Sequence, residues 1–198
     1  MMRRSITFTY FQCLSLLGKT LFYEGCNITS EEFYRKLSSG EPVTTSQPSP
    51  ADVMKMWDQL LKEHDEVVHV PMSSGLSASC SSAISLSTDY EGKVQIADNH
   101  RISVTQERIC HAMQKSLQKT GKSAKEIKEI LEAEAYNSSI YIAVDTLEFL
   151  KKGGRVTAAG AALGSVLNIN RSWQFRVTNW DAFCQDPRYK RSVNKKMV

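Results

Sequence analysis

The stretch from Glu66 to Asn99 constrains the fold more than any other part of the chain. It opens with Val67, Val68 and Val70, a β-branched run of the kind that fills a buried strand. It then enters a turn around Gly75, "SSGLS", and runs through a serine-rich stretch that reads as a helix to about Ser87. "KVQIADN" (93–99) reads as a second strand ending in polar residues. Strands alternating with helices of about ten to fifteen residues point to a parallel sheet with helices on both faces.

The alternation continues on either side. Upstream, a helix over about 51–63 places Val53, Met56, Trp57, Leu60 and Leu61 on one stripe. Earlier still, "KTLFYEGCNITSEEFYRKLSSG" (19–40) holds a strand-like piece and then a helix capped by Thr29 or Ser30. Glu31 and Glu32 lie in its first turn, Phe33, Tyr34 and Leu37 form its apolar face, and Gly40 ends it. "EPVTTSQPSP" (41–50) reads as a loop, because three prolines bracket Thr44, Thr45, Ser46 and Gln47. Downstream, helices are expected at about 103–118 and 123–135, the second capped by Ser123. Residues 139–156 read as a strand and a short helix stopped by Gly153-Gly154, and 157–169 as a small-residue helix. In open α/β sheets ligands sit beyond the C-terminal strand ends. The Ser73–Ser77 turn, Asp98-Asn99 and the loop to Arg155 all fall at such ends.

Bulk properties narrow the function classes. The net charge of +4 is spread along the chain, which argues against nucleic-acid binding; the basic tail "RYKRSVNKK" (188–196) reads as a solvated end. Cys13, Cys26, Cys80, Cys110 and Cys184 are odd in number and lack a CxxC spacing. That argues against a disulfide framework or a metal site and for a reducing, cytoplasmic setting with buried structural thiols, a reactive Cys80 being the other reading. The start has the basic head and apolar body of a signal peptide, but Thr7, Thr9, Gln12 and Ser15 interrupt it and no cleavage site follows. No segment has the length of an integral membrane span.

Seven serines lie between Ser73 and Ser85, and they could hold a nucleophile, cradle an anion or cap a helix. The nucleophile-elbow spacing G-x-S-x-G is absent, and no motif ties His64, His69, His100 or His111 to a serine. The glycine–lysine pattern of a phosphate loop is absent too. What remains is hydroxyls and free N–H groups at a helix N-terminus, which suit a carboxylate and equally suit plain capping. The Thr44–Gln47 loop precedes a helix in the preceding unit. Arg155 follows the Gly-Gly break, where its planar fork could pair with a carboxylate or simply serve a helix C-terminus.

In order along the chain stand "GKTLFYEGCNITSEEFYRKL", "TTSQPSP", "SSGLSAS", "VDTLEFLKKGGRV" and "AALGSVLNI". This pattern, over about residues 18–169, resembles the DegV family of bacterial fatty-acid-binding proteins, which includes the acyl-carrying subunit of the fatty acid kinase system. The resemblance implies a two-domain α/β protein enclosing one long-chain fatty acid, with no further cofactor and no metal. It implies a carboxylate held at Thr45, Ser74, Ser77 and Arg155, supported by Ser46, Gln47 and Gly75, with the choice between Ser74 and Ser77 left open. It also implies a partner: a separate kinase subunit that makes the acyl phosphate, the carrier itself doing no chemistry.

Residues 1–17 and 170–198 depart from the family pattern, and the second domain is largely missing, so the tail pocket is expected to be incomplete. Back-translating 6–17 and 170–180 with permitted codons and reading the neighbouring frame yields strand-like text that runs into Gly18 and Asp181. Both ends therefore read as frameshifted, and codons that forbid those readings would exclude it. Two other readings stand beside the carrier: an enzyme acting on a small anion at the same turn with Asp98 or His100 as base, and a non-functional fragment prone to aggregate through an exposed sheet edge.

Overall fold

The computed structural model describes residues 14–17, 20–23, 26–40, 42–138, 140–143, 151–154, 172–176 and 179–182. They fall in two compact units, 1–138 and 139–198.

In the first unit, β1 (Leu14–Leu17) and β2 (Thr20–Tyr23) form a tight antiparallel hairpin with Leu17 opposite Thr20. On the other side of β1 lies β3 (Val43–Ser46), also antiparallel, with Thr45 opposite Ser15. The segment expected as a loop between prolines is thus in part a strand. Val43, Thr44 and Thr45 are β-branched and favour extended backbone, and β1 supplies the ladder partner. Between β2 and β3 runs α1 (Ser30–Ser38), whose N-cap is Thr29: its Oγ1 accepts the N–H of Glu32 at 3.2 Å. Gly40 ends the segment at φ 84°, a left-handed conformation that glycine adopts without a Cβ clash. The expected apolar face of α1 is only half used, since Phe33 and Leu37 are half-buried and Tyr34 is 63% exposed.

The serine cap and the proline at the first position start α2 (Pro50–Leu60), where Ser49 Oγ accepts the N–H of Asp52 at 3.1 Å. Next come β4 (Val67–His69), α3 (Ser79–Ser87), a single 3-10 turn (Thr88–Tyr90) and β5 (Val94–Ile96). The parallel sheet expected from the alternation is the β4–β5 pair, with Val67 opposite Val94 and His69 opposite Ile96. Then α4 (Ser103–Thr120) and α5 (Ala124–Ala133) follow, α5 opened by a reciprocal Ser123–Glu126 capping box. A 3-10 turn over Ala135–Asn137 follows α5.

Strand periodicity splits the core in two. Val67, Val94 and Ile96 pack on one face of the pair against Val53 and Trp57 of α2 and Cys80 and Ala83 of α3. Val68, Val70 and Ala97 pack on the other against Ile109 and Met113 of α4 and Ile127 and Leu131 of α5. Helices therefore cover both faces, and the polar residues that follow β4 and β5 are left together at the C-terminal strand ends.

The second unit holds a three-stranded antiparallel sheet, β6 (Ile140–Ala143), β7 (Ser172–Arg176) and β8 (Asn179–Ala182). Ile140 stands opposite Phe175, and Trp173 opposite Ala182. Lys151 and Lys152 are helical and Gly153-Gly154 form a turn, as the Gly-Gly break predicts. The small-residue helix expected at 157–169 lies outside the described residues.

Candidate functional site

The S-S-G-L-S turn is built around Ser73, which is completely buried. Its carbonyl accepts the N–H groups of Leu76 (2.9 Å) and Ser77 (3.2 Å), and its own N–H donates to Arg101 O (3.2 Å). Its Oγ accepts the N–H of Gly75 at 3.3 Å. Just upstream, Gln106 Nε2 on α4 donates to the carbonyls of Val70 (2.7 Å) and Pro71 (3.0 Å). The turn satisfies itself internally and is clamped from two sides, which leaves its other two serines for outside partners.

Those two serines differ. Ser77 Oγ accepts the N–H of Ser79 at 3.2 Å, so its oxygen serves the start of α3. A hydroxyl used as acceptor keeps its proton, which Ser77 can still donate outward. Ser74 is exposed: its N–H donates to Asp98 Oδ1 (3.4 Å), and its Oγ lies 3.5 Å from His100 Nδ1.

Asp98, just past β5, is the hub of the site. Its Oδ1 also accepts the N–H of His100 (3.2 Å), and its own N–H donates to Glu132 Oε1 on α5 (3.3 Å). The Cys80 thiol is pushed up to about 12, first by burial and then by the Asp98 charge and the hydrogen bond it donates to that carboxylate. Burial at 1% exposure and a raised pKa both argue against a reactive Cys80, since the thiolate is the nucleophile. The expectation of buried thiols holds for Cys80; Cys110 is half-buried, Cys26 is exposed, and Cys13 and Cys184 lie outside the described residues.

Ser74, His100 and Asp98 thus meet, though no sequence motif joined them. They do not form a catalytic relay. In a relay the carboxylate and the serine engage opposite ring nitrogens, whereas here Asp98 Oδ1 and Ser74 Oγ both approach Nδ1, each at 3.5 Å. Beside them Asn99 is completely buried; its Oδ1 accepts the N–H of Arg101 (3.1 Å), and among the described residues its Nδ2 has no partner.

From the other side, Thr45 and Ser46 are exposed at the end of β3. Gln47 is half-buried and bonded to Ser82 of α3, Nε2 to Oγ at 3.1 Å, which ties the T-S-Q-P segment to the helix that follows the S-S-G-L-S turn. Gln47 is thus a tether. Arg155 lies outside the described residues. Sequence reasoning placed Asn99 at a strand end without giving it a role, and missed the roles of Ser73 and Gln106. Ser73 carried a weak signal as the first polar residue after a strand, whereas Gln106 carried none. Among the described residues no group of three His, Cys, Asp or Glu could hold a metal ion, and no helix is long and apolar enough to cross a membrane.

Comparison with known proteins gives the family of the chain. The profile described as "Uncharacterised protein, DegV family" matches residues 13–195, a range that takes in parts of both atypical end segments. A DegV domain-containing protein of Deinococcus radiodurans is 30% identical over 151 residues, which cover 75% of this chain and 53% of that protein. The chain thus spans about half the length of that curated relative. The structure described as "Fatty Acid Binding of a DegV family Protein from Thermus thermophilus" has 27% identity and a TM-score of 0.79, over 93% of this chain and 66% of that one. The Streptococcus pneumoniae Fatty Acid Kinase (Fak) B3 protein, loaded with linoleic acid, shares the fold at 16% identity and a TM-score of 0.72, covering 93% of this chain and 66% of that one. On the profile match, which runs over most of its length, the chain belongs to the DegV family.

Proposed function

We propose that this chain binds a long-chain fatty acid by its carboxylate and presents it to a separate kinase subunit for acyl-phosphate formation, doing no chemistry itself. One observation carries the reading. The S-S-G-L-S turn, satisfied internally by Ser73, leaves the hydroxyls of Ser74 and Ser77 to donate, and Gln47 links the T-S-Q-P segment to the helix that follows it. In this reading Thr45, Ser74, Ser77 and Arg155 hold the head group, and Ser46, Gln47 and Gly75 shape the loops around it. A carboxylate leaving water needs such charge-assisted donors, while each buried CH₂ of the tail contributes about 0.8 kcal/mol.

Two relatives in fold support the ligand and the partner: the Thermus thermophilus structure concerns fatty acid binding, and the Streptococcus pneumoniae protein is part of a fatty acid kinase. The odd number of cysteines and their lack of a CxxC spacing support a reducing, cytoplasmic setting.

Native mass spectrometry with lipid extraction tests the reading. The wild type is expected to carry a fatty acid, and Thr45→Ala and Arg155→Ala to lose most of it. If both variants keep lipid as the wild type does, the head-group site is wrong. Acyl phosphate should form only when a fatty acid kinase subunit and ATP are added.

A further inference from the structure

We propose that His100 is a positioning residue for the head group: its Nδ1–H, fixed by Asp98, fills a lone pair of Ser74 Oγ and turns the Ser74 proton outward to the carboxylate. This role rests on the fatty-acid reading and deepens it, since it explains why Ser74 is held as a donor.

One carboxylate oxygen gathers the cluster. Asp98 Oδ1 accepts the N–H of His100 at 3.2 Å and the N–H of Ser74 at 3.4 Å. The imidazole comes back over the same oxygen, with Nδ1 3.5 Å from it. His100 folds back in this way at φ 54°, a left-handed conformation uncommon outside glycine, and its backbone bond to Asp98 supports it there.

An ionised carboxylate only accepts, so Asp98 decides which ring nitrogen carries the proton. With the proton on Nε2 alone, the Nδ1 lone pair would face the Asp98 oxygen, a repulsive contact. With a proton on Nδ1 the contact is attractive. The neutral Nδ1–H ring and the imidazolium both carry that proton, so the role does not depend on the charge of His100.

Ser74 Oγ lies 3.5 Å from the same nitrogen. At equal distances the one Nδ1 proton is shared between Asp98 and Ser74 as a three-centre bond. A hydroxyl has one proton and two lone pairs. When a lone pair of Ser74 faces Nδ1–H, its own O–H points away from the ring, and Ser74 is exposed, so that proton is offered to a ligand. The opposite tautomer would draw the Ser74 O–H inward to Nδ1 and present a lone pair to the carboxylate. Holding the hydroxyl in the donating orientation beforehand spares the cost of turning it on binding.

Two measurements on the full chain test the role. Long-range proton–nitrogen NMR of the chain labelled with 15N-histidine, above the pH at which the ring loses its charge, reads the tautomer. The signal missing from His100→Asn should show Nδ1 protonated and Nε2 bare; a proton on Nε2 would overturn the proposal. Oleate binding reads the consequence. His100→Gly removes the ring and keeps the left-handed conformation available, and should lower affinity about tenfold. His100→Asn also accepts that conformation, and its amide offers a donor close to where Nδ1 stands, so it should restore most of the affinity. In a Ser74→Ala background His100→Gly should cost nothing further. An equal loss in that background, full affinity in His100→Gly, or no rescue by His100→Asn would each overturn the role of His100 and leave the fatty-acid reading in place. Failure of the wild type to bind oleate would remove that reading, and this role with it.

Discussion

Gln47 and Ser82 face each other across 35 residues of chain, the amide Nε2 donating to the hydroxyl at 3.1 Å with Oε1 3.4 Å from the same oxygen. This contact is the described link between the T-S-Q-P segment and α3. Gln47→Ala and Ser82→Ala should each weaken fatty-acid binding, and the double variant should cost no more than the worse single one. A coupling energy of about 1 kcal/mol in that cycle is the expected signature. Strictly additive losses would show that the contact does not position the loop.

Ser74 and Ser77 should separate in their effects. Ser77 serves the N-terminus of α3 through Ser79, so Ser77→Ala is expected to cost about 1 kcal/mol of stability in denaturant unfolding. Ser74 is exposed, and Ser74→Ala should leave stability within about 0.5 kcal/mol while weakening lipid retention. An equal loss of stability in both would contradict the division of roles drawn from the turn.

Stability should fall on mild acidification because of His69. Burial between the sheet and Trp57, whose ring meets the imidazole edge-on at 5.5 Å, lowers its pKa from 6.5 to about 4. Between those values the unfolded chain binds the proton and the folded chain does not, so stability is lost as pH falls from 6.5 towards 4. The loss from this group between pH 7 and pH 5 is about 2 kcal/mol. His69→Phe should flatten the urea-unfolding profile by that amount; an unchanged slope would clear His69 of the effect.

Trp57 is 1% exposed and belongs to the cluster that joins α2, α3 and the parallel strands. Trp57→Ala should cost about 3–5 kcal/mol, measured by chemical denaturation, and at that size can leave the chain largely unfolded.

Thiol labelling should rank the cysteines by environment. Cys26 is exposed and should react with iodoacetamide under native conditions, whereas Cys80, buried and with its thiol pushed up to about 12, should react only on unfolding. Rapid native labelling of Cys80 would mean that the α3–β5 contact opens readily.

Local signals carried much of the fold. The stripe Val53 and Trp57, the Ser123–Glu126 capping box, the Thr29 cap and the β-branched run at Val67 each work over a few residues, and α2, α5, α1 and β4 stand close to where those signals put them. The alternation of strands with helices was enough to imply a parallel pair covered on both faces, and motif order was enough to identify the family. Tertiary structure decided what depends on distant partners. Thr44 and Thr45 became strand because Ser15 and Leu16 lie opposite them. Gln47 turned out to be a tether because Ser82 is within reach, and His100 joined Ser74 only because β4 and β5 end side by side. A residue's type and its near neighbours set its propensity and its capacity to donate or accept, so those are legible in the chain. Which groups share one nitrogen or one carboxylate is set by packing between elements far apart in sequence, and only the folded chain brings them together.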